Sequence, residues 1–244
     1  RGLGDVYKRQ VSTDATLYHL NGVFFERLEN NLMRMTATDG HRLSYIDHEV
    51  FLNMPQFRRG MIIPKKGLGE LRRLLESSAE EVLLAFDQGY CFAHLEGSHK
   101  SDLVDHHTYL FIRLIEGEYP DYKQVIPKTV NQTAIIQRDT LISALRRVSL
   151  LAHEKSRGVK LSFKDHLLEI STSNSDRGEA REEFDIEYKG EPLEIGFNAK
   201  YLLDCLPQMT SETLELRLKD RLSPGILNGK DHKNHAYIIM PMRI

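Results

Sequence analysis

The sequence predicts an α+β fold, a duplicated domain of antiparallel sheets with a few amphipathic helices. Three observations predict it. Short runs of alternating apolar and polar residues recur along the 244-residue chain, which is the pattern of half-buried antiparallel strands. A few intervening segments carry apolar residues at helical spacing. Finally, residues 22–42 and 158–177 resemble each other: each opens on Gly-Val, passes a polar turn, and runs through a second strand into a Ser/Thr-rich turn and an Arg. A repeat on this scale is domain duplication rather than a solenoid.

In the first copy, Gly22 and Val23 open a strand, and Glu29, Asn30 and Asn31 supply the turn. Residues 61–64 form a short apolar strand that leads into a helix over 65–75, with Pro64 suited to the helix start. A strand over 81–86 follows.

The second copy begins with a strand over 133–137 and a helix over 138–153 whose apolar stripe is Leu141, Leu145, Val148 and Ala152, with Ile142 alongside. Val159, Leu161 and Phe163 alternate into a turn at Lys164 and Asp165. Residues 195–198 form a strand, Asn198 suits the N-cap of a helix over 199–206, and a strand over 213–219 places Leu214, Leu216 and Leu218 on one face. Nothing like 133–153 precedes Gly22, so the first copy is expected to lack its opening strand and helix. The expected domains are 11–128 and 129–244, with a polar, turn-prone seam near 127–133. Residues 1–10 have no clean period and no cap, and are read as a non-native leader.

Composition narrows the function. Hydrophobic residues make up 41% and charged residues 28%, enough to bury a core and unlike a disordered tail. With 33 Lys+Arg against 35 Asp+Glu, the net charge of -2 excludes a uniformly basic coat for nucleic acid but leaves room for a basic face. From position 58 to 75 there are six basic residues and one acid, and from 138 to 160 six and two; these segments carry +5 and +4 in an otherwise acidic chain. Such charge suits either a solvated helix face or a surface that follows phosphates. Two cysteines, Cys91 and Cys205, cannot make a disulfide framework, which points to a reducing compartment. No apolar run approaches the roughly 18–20 residues of a membrane span, so a cytoplasmic protein without membrane association is expected.

Catalytic motifs are missing. The chain has no phosphate-binding G-x-x-x-x-G-K-[ST] loop, no G-x-S-x-G and no H-E-x-x-H, so no catalytic residue, cofactor or metal is expected. His94, His99, Asp102, Asp105, His106 and His107 crowd into fourteen positions, but strand alternation sends His106 and His107 to opposite faces. Asp39 and Gly40, before His41 and Arg42, read first as a turn. The chain ends on an apolar strand and Met240-Pro241-Met242, soft side chains suited to a shallow peptide groove.

Five segments in order carry a family resemblance: T-A-T-D-G-H-R-L at 36–43, Y-P-D-Y at 119–122, E-K-S-R-G-V at 154–159, E-I-G-F-N at 194–198 and Y-I-I-M-P-M-R at 237–243. Over about residues 14–244 the chain resembles the bacterial sliding clamp, the beta subunit of the DNA polymerase III holoenzyme. The resemblance implies the DNA-clamp fold, with a middle domain short of its front and a complete last domain. It departs at 97–115, where the loop and strand are longer than the family suggests.

The resemblance implies a non-catalytic processivity factor. It implies that in the full-length form a homodimeric ring slides on duplex DNA without sequence preference, that it tethers the DNA polymerase III alpha subunit, the clamp loader, and repair and translesion polymerases, and that loading spends ATP on the separate loader. The partner pocket carries over to Leu20, Thr38, Gly40, His41, Arg42, Leu43, Pro120 and Val125 from the first copy, and to Pro224, Ile238, Met240, Pro241, Met242 and Arg243 from the second. Gln124 stands where the family often has a basic residue. DNA contacts carry over to Tyr18 and His19, joined by Lys65, Lys66, Arg72, Arg73, Arg138, Arg146 and Arg147. Leu150, Leu151, Glu179, Glu182 and Glu183 would form the ring contact. Lacking a front domain, the chain is expected not to close the two-subunit ring. Two other readings stay open on the residues alone: a metal-dependent hydrolase built on the histidine cluster, and a sequence-specific DNA-binding module.

Overall fold

Alternation builds the first sheet. The computed structural model describes residues 15–29, 31–50, 60–78, 82–87, 89–97 and 106–243; the leader at 1–10, Arg58, Arg59, His99, Asp102 and Asp105 lie outside them. Strands β1 (Gly22–Arg27) and β2 (Leu32–Thr38) form an antiparallel hairpin, with Phe25 opposite Met35. Asn31 turns it with φ 57°, a left-handed conformation Asn tolerates because its short amide bonds locally. β3 (Arg42–Glu49) lies beside β2, and β4 (Met61–Pro64) pairs with β1 on the other side. Gly22 is dictated by that pairing: a Cβ there would stand 2.6 Å from the Ile63 carbonyl oxygen.

Helix α1 (Lys65–Ser78) follows, burying Leu68 and Leu71. It extends past the expected end at 75. β5 (Val82–Asp87), β6 (Tyr90–Gly97) and β7 (His106–Arg113) then form a three-stranded antiparallel sheet in that order. Its inner face buries Cys91, Ala93, Leu95 and Ile112 in one core with Val23, Phe25, Met35 and Ile63.

The second copy repeats this plan with two additions. β8 (Gln132–Gln137) and α2 (Arg138–Val148) come first. β9 (Gly158–Lys164), β10 (Leu167–Asn174), β11 (Gly178–Asp185) and β12 (Leu193–Asn198) form a sheet ordered β11-β10-β9-β12, strand for strand the order β3-β2-β1-β4. His166, φ 56°, turns the β9–β10 hairpin where Asn31 turns its counterpart. α3 (Ala199–Cys205) is capped by the Asn198 side chain, which accepts from the Lys200 N–H at 2.9 Å. β13 (Thr213–Leu218), β14 (Gly225–Gly229) and β15 (His232–Ile239) match β5-β6-β7, and β8 adds a fourth strand against β13. The described residues of the first copy hold no counterpart of β8 or α2.

The chain forms two compact units: one takes in the described residues to Gly40 and Tyr45–Pro120, the other His41–Ser44 and Asp121–Ile244. In the second, Leu141, Leu145 and Val148 of α2 are fully buried against a core containing Phe163, Leu168, Tyr188, Phe197 and Leu216. The helix expected over 138–153 stops at Val148. Beyond it the backbone tightens into i→i+3 bonds, from Leu150 to Arg147, Leu151 to Val148 and Ala152 to Ser149, so Ala152 is still buried but not helical. Both thiols are buried and free, and burial pushes Cys91 up to about 11 and Cys205 up to about 12.

His235, on β15 and 3.3 Å from the Ser44 hydroxyl, is held neutral by burial and by the charge of His232, its pKa lowered from 6.5 to about 4. The folded state therefore refuses a proton that the unfolded chain takes up below pH 6.5. The associated stability is complete above that pH and is lost as pH falls toward 4, by about 3 kcal/mol in all. Denaturant titrations at pH 7 and at pH 4.5 are expected to show a larger loss for the native chain than for His235→Gln.

Candidate partner pocket and nucleic-acid surface

Three segments of the second unit converge on an open cavity of about 460 Å³ lined by Val125, Pro224 and Met240, with Ile126, Pro127, Lys128 and Lys219 among its walls. The first is the 3-10 turn Tyr122–Val125. Asp121 caps it, accepting from the Lys123 N–H at 3.3 Å and the Gln124 amide at 3.0 Å, while Tyr122 plugs into the interior. That leaves Val125 facing out, 38% exposed. The second turn is tied by Asp220, which accepts from the N–H groups of Leu222 at 2.8 Å and Ser223 at 2.7 Å and so presents Pro224. Those backbone donors hold the Asp220 carboxyl below the usual range.

The third is the chain end. β15 buries Tyr237, Ile238 and Ile239, and Met240 emerges 37% exposed. Its N–H donates to the His41 carbonyl at 3.0 Å, and the Met242 N–H donates to the Gly196 carbonyl at 2.9 Å. Ile238 therefore supports the wall from within, whereas Met240 forms it. Pro241 and Met242 are half-buried and Arg243 is exposed.

Arg42 is nearly buried and pairs with Asp204 at 2.9 Å. Its guanidinium lies 4.6 Å from the centroid of the Tyr201 ring, against which His41 also stacks at 6.1 Å. Burial alone raises the Asp204 pKa, but hydrogen bonds from Lys200 and Arg42 outweigh it and hold the carboxyl below the usual range. Arg42 is thus engaged in an anchor. Its partner stands 162 residues away in sequence, and nothing in the local pattern marks it.

In the first unit, Leu20 and Thr38 are buried, and Pro120 is exposed. Gly40 turns with φ 85°, its N–H donating to the Thr38 hydroxyl at 3.1 Å, so the Asp39-Gly40 pair is a turn as expected.

The basic residues divide into engaged and open ones. On α1, Arg72 pairs with Glu76 at 2.6 Å and Arg73 with Glu70, while Lys66 is exposed and Lys65 half-buried. Arg138 opens α2 and donates to the Met209 carbonyl at 2.6 Å, bracing the chain rather than pointing away from it. Arg146 is exposed. Arg147 forms a two-pronged bond with Glu182, which lowers the Glu182 pKa. Tyr18, 52% exposed, donates to the Glu116 carbonyl at 2.5 Å, with the His19 ring edge-on to it.

Among the ring-contact candidates, Leu150 is 72% exposed and Leu151 half-buried. Glu179, Glu182 and Glu183 lie on β11, the outermost strand of its sheet, where Glu179 accepts from Ser173 at 3.1 Å and Glu183 pairs with Arg181 at 3.3 Å. Of the histidine-rich stretch, His94 and His107 come together with Glu96, a residue the sequence pattern did not single out.

Two family models match in succession: the DNA polymerase III beta subunit central domain over residues 7–121, and the C-terminal domain of the same subunit over 123–243. The chain belongs to the bacterial beta sliding clamp family. It is 37% identical over 228 residues to the beta sliding clamp of Proteus mirabilis, covering 93% of this chain and 59% of that protein. It is likewise 37% identical to the clamp of Haemophilus influenzae, covering 93% and 58%. A crystal structure of the Bartonella birtlesii sliding clamp bound to griselimycin superposes with a TM-score of 0.89 at 32% identity, over 100% of this chain and 63% of that one. The Pseudomonas aeruginosa clamp gives 0.88 at 34%, covering 100% and 64%. The chain thus spans about three-fifths of the length of these relatives. No helix among the described residues is long and apolar enough to cross a membrane.

The Arg42–Asp204 pair yields a direct check. Asp204→Asn leaves a nearly buried guanidinium without its carboxylate, and is expected to destabilise the second unit by about 3 kcal/mol in urea titrations. Combining it with Arg42→Met is expected to recover much of that loss, because the uncompensated charge is gone.

Proposed function

We propose that this chain is the two-domain part of a DNA sliding clamp, a non-catalytic processivity factor that holds polymerases on duplex DNA. Residues 11–128 serve as the clamp middle domain and 129–244 as the C-terminal domain. In the full-length protein, two subunits close a ring, with Leu150, Leu151 and the β11 edge carrying Glu179, Glu182 and Glu183 at the contact. The partners are the DNA polymerase III alpha subunit, the clamp loader, and repair and translesion polymerases.

The observation that carries this reading is the cavity lined by Val125, Pro224 and Met240 in a chain that two successive clamp-domain models match. Its apolar walls suit a short linear segment with a Leu or Phe anchor, since such anchors dominate small interfaces by filling pockets. Met240 suits varied anchors because its thioether is flexible and polarizable. Lys128 and Lys219 on the same walls favour an acidic residue beside the anchor. Calorimetry with such a peptide tests the assignment. Removal of residues 240–244, or Val125→Glu, is expected to weaken binding by about 2 kcal/mol or more. Equal affinity in a folded variant would refute the pocket.

The DNA contact is non-specific and electrostatic, from Tyr18, His19 and the basic helices. Lys66 and Arg146, exposed, serve phosphates directly, whereas Arg72, Arg73, Arg138 and Arg147 are held by partners within the chain. In the ring-forming full-length protein, Lys66→Ala with Arg146→Ala is expected to make the slope of log affinity against log salt shallower, by about 0.9 for each phosphate no longer neutralised. Arg147→Ala is expected to change it less, and sequence preference should stay absent in all variants.

A further inference from the structure

The outer face of the β5-β6-β7 sheet carries a cluster that neither the pocket nor the DNA reading uses. On β6, His94 and Glu96 point to the same side, because strand neighbours two apart share a face. Across the hairpin, His107 on β7 stands directly opposite Glu96, and Tyr109 opposite His94. The His94 Nε2 and His107 Nδ1 atoms are 3.1 Å apart, and the donor atoms of His94, Glu96 and His107 all lie within 4.8 Å of one another. The His94 ring is stacked flat on Tyr109, 4.6 Å between centroids and 7° between planes, which holds its nitrogen toward His107.

We propose that His94, Glu96 and His107 bind a zinc ion. Two imidazole nitrogens at about 2.0–2.1 Å from a tetrahedral zinc lie about 3.3 Å apart, close to the spacing the two rings already hold. Two imidazoles and one carboxylate form a zinc-type donor set, and the fourth position is open to water because the face is exposed. In the metal-free form one neutral ring donates its N–H to the facing nitrogen of the other; to ligate zinc that ring takes the other tautomer, its proton moving to its second nitrogen, so that both facing nitrogens offer lone pairs. The ion would staple β6 to β7 next to Gly97 and His106, the last pair of the hairpin among the described residues.

The test uses the tag-free 244-residue chain, stripped of metal and titrated with zinc chloride by calorimetry. One equivalent is expected to bind, with a rise in melting temperature. His94→Ala, His107→Ala and Glu96→Gln are each expected to weaken binding by more than about tenfold, beyond the loss of a supporting hydrogen bond. His166→Ala and His232→Ala, elsewhere on the surface, should leave it unchanged. Cobalt in place of zinc is expected to give the intense visible bands of a four-coordinate site, absent in the same three variants. The proposal is overturned if folded native chain takes up no zinc. It is equally overturned if the His94→Ala/His107→Ala double variant, folded by circular dichroism, keeps full stoichiometry and the cobalt bands.

Discussion

The burial of α2 is the constraint on which the second unit depends. The sheet β11-β10-β9-β12 and the strands β15-β14-β13-β8 each offer an apolar face, and Leu141, Leu145 and Val148 fill the space against them. Removing a side chain of that size from such a site leaves a void the neighbours close only in part, typically costing about 2–5 kcal/mol. The ends of α2 are fixed accordingly: Arg138 reaches the Met209 carbonyl at its start, and i→i+3 turns take over after Val148. The basic residues of its last turn, Arg146 and Arg147, also complement the helix dipole, so their charge has a structural use besides any contact with phosphate.

Much of the fold was legible because it rests on local periodicity. Val159, Leu161 and Phe163 alternate in the sequence and are buried on one face of β9. Asn198 reads as a cap and is one. The repeat was readable because its turns recur, with Asn31 and His166 in the same left-handed conformation at matching places. The end of α2 was not readable, since Ala152 continues the apolar stripe while the backbone has already left the helix.

The candidate site was legible in its apolar parts and opaque in its ionic ones. Met240 and Val125 stand out as apolar residues near a chain end and a turn. The engagement of Arg42 by Asp204 and of Arg147 by Glu182 crosses long sequence separations. The latter joins a residue expected at DNA to one expected at a subunit contact. Glu96 is not legible in the sequence, because a single carboxylate in a strand carries no signal until register sets it opposite His107. Charge counted along a sequence overstates what is available, since basic residues can be spent within their own helix, as Arg72 and Arg73 are among the four on α1.

The two buried thiols have a practical consequence. Cys91 and Cys205 are shielded, and burial keeps both protonated far above neutral pH, so neither supplies the thiolate that maleimides and disulfide probes require. The chain is therefore a silent background for site-directed labelling. A cysteine introduced at an exposed position, such as that of Leu222 near Pro224, would be the reactive one and could carry a fluorophore beside the cavity without removal of the native pair.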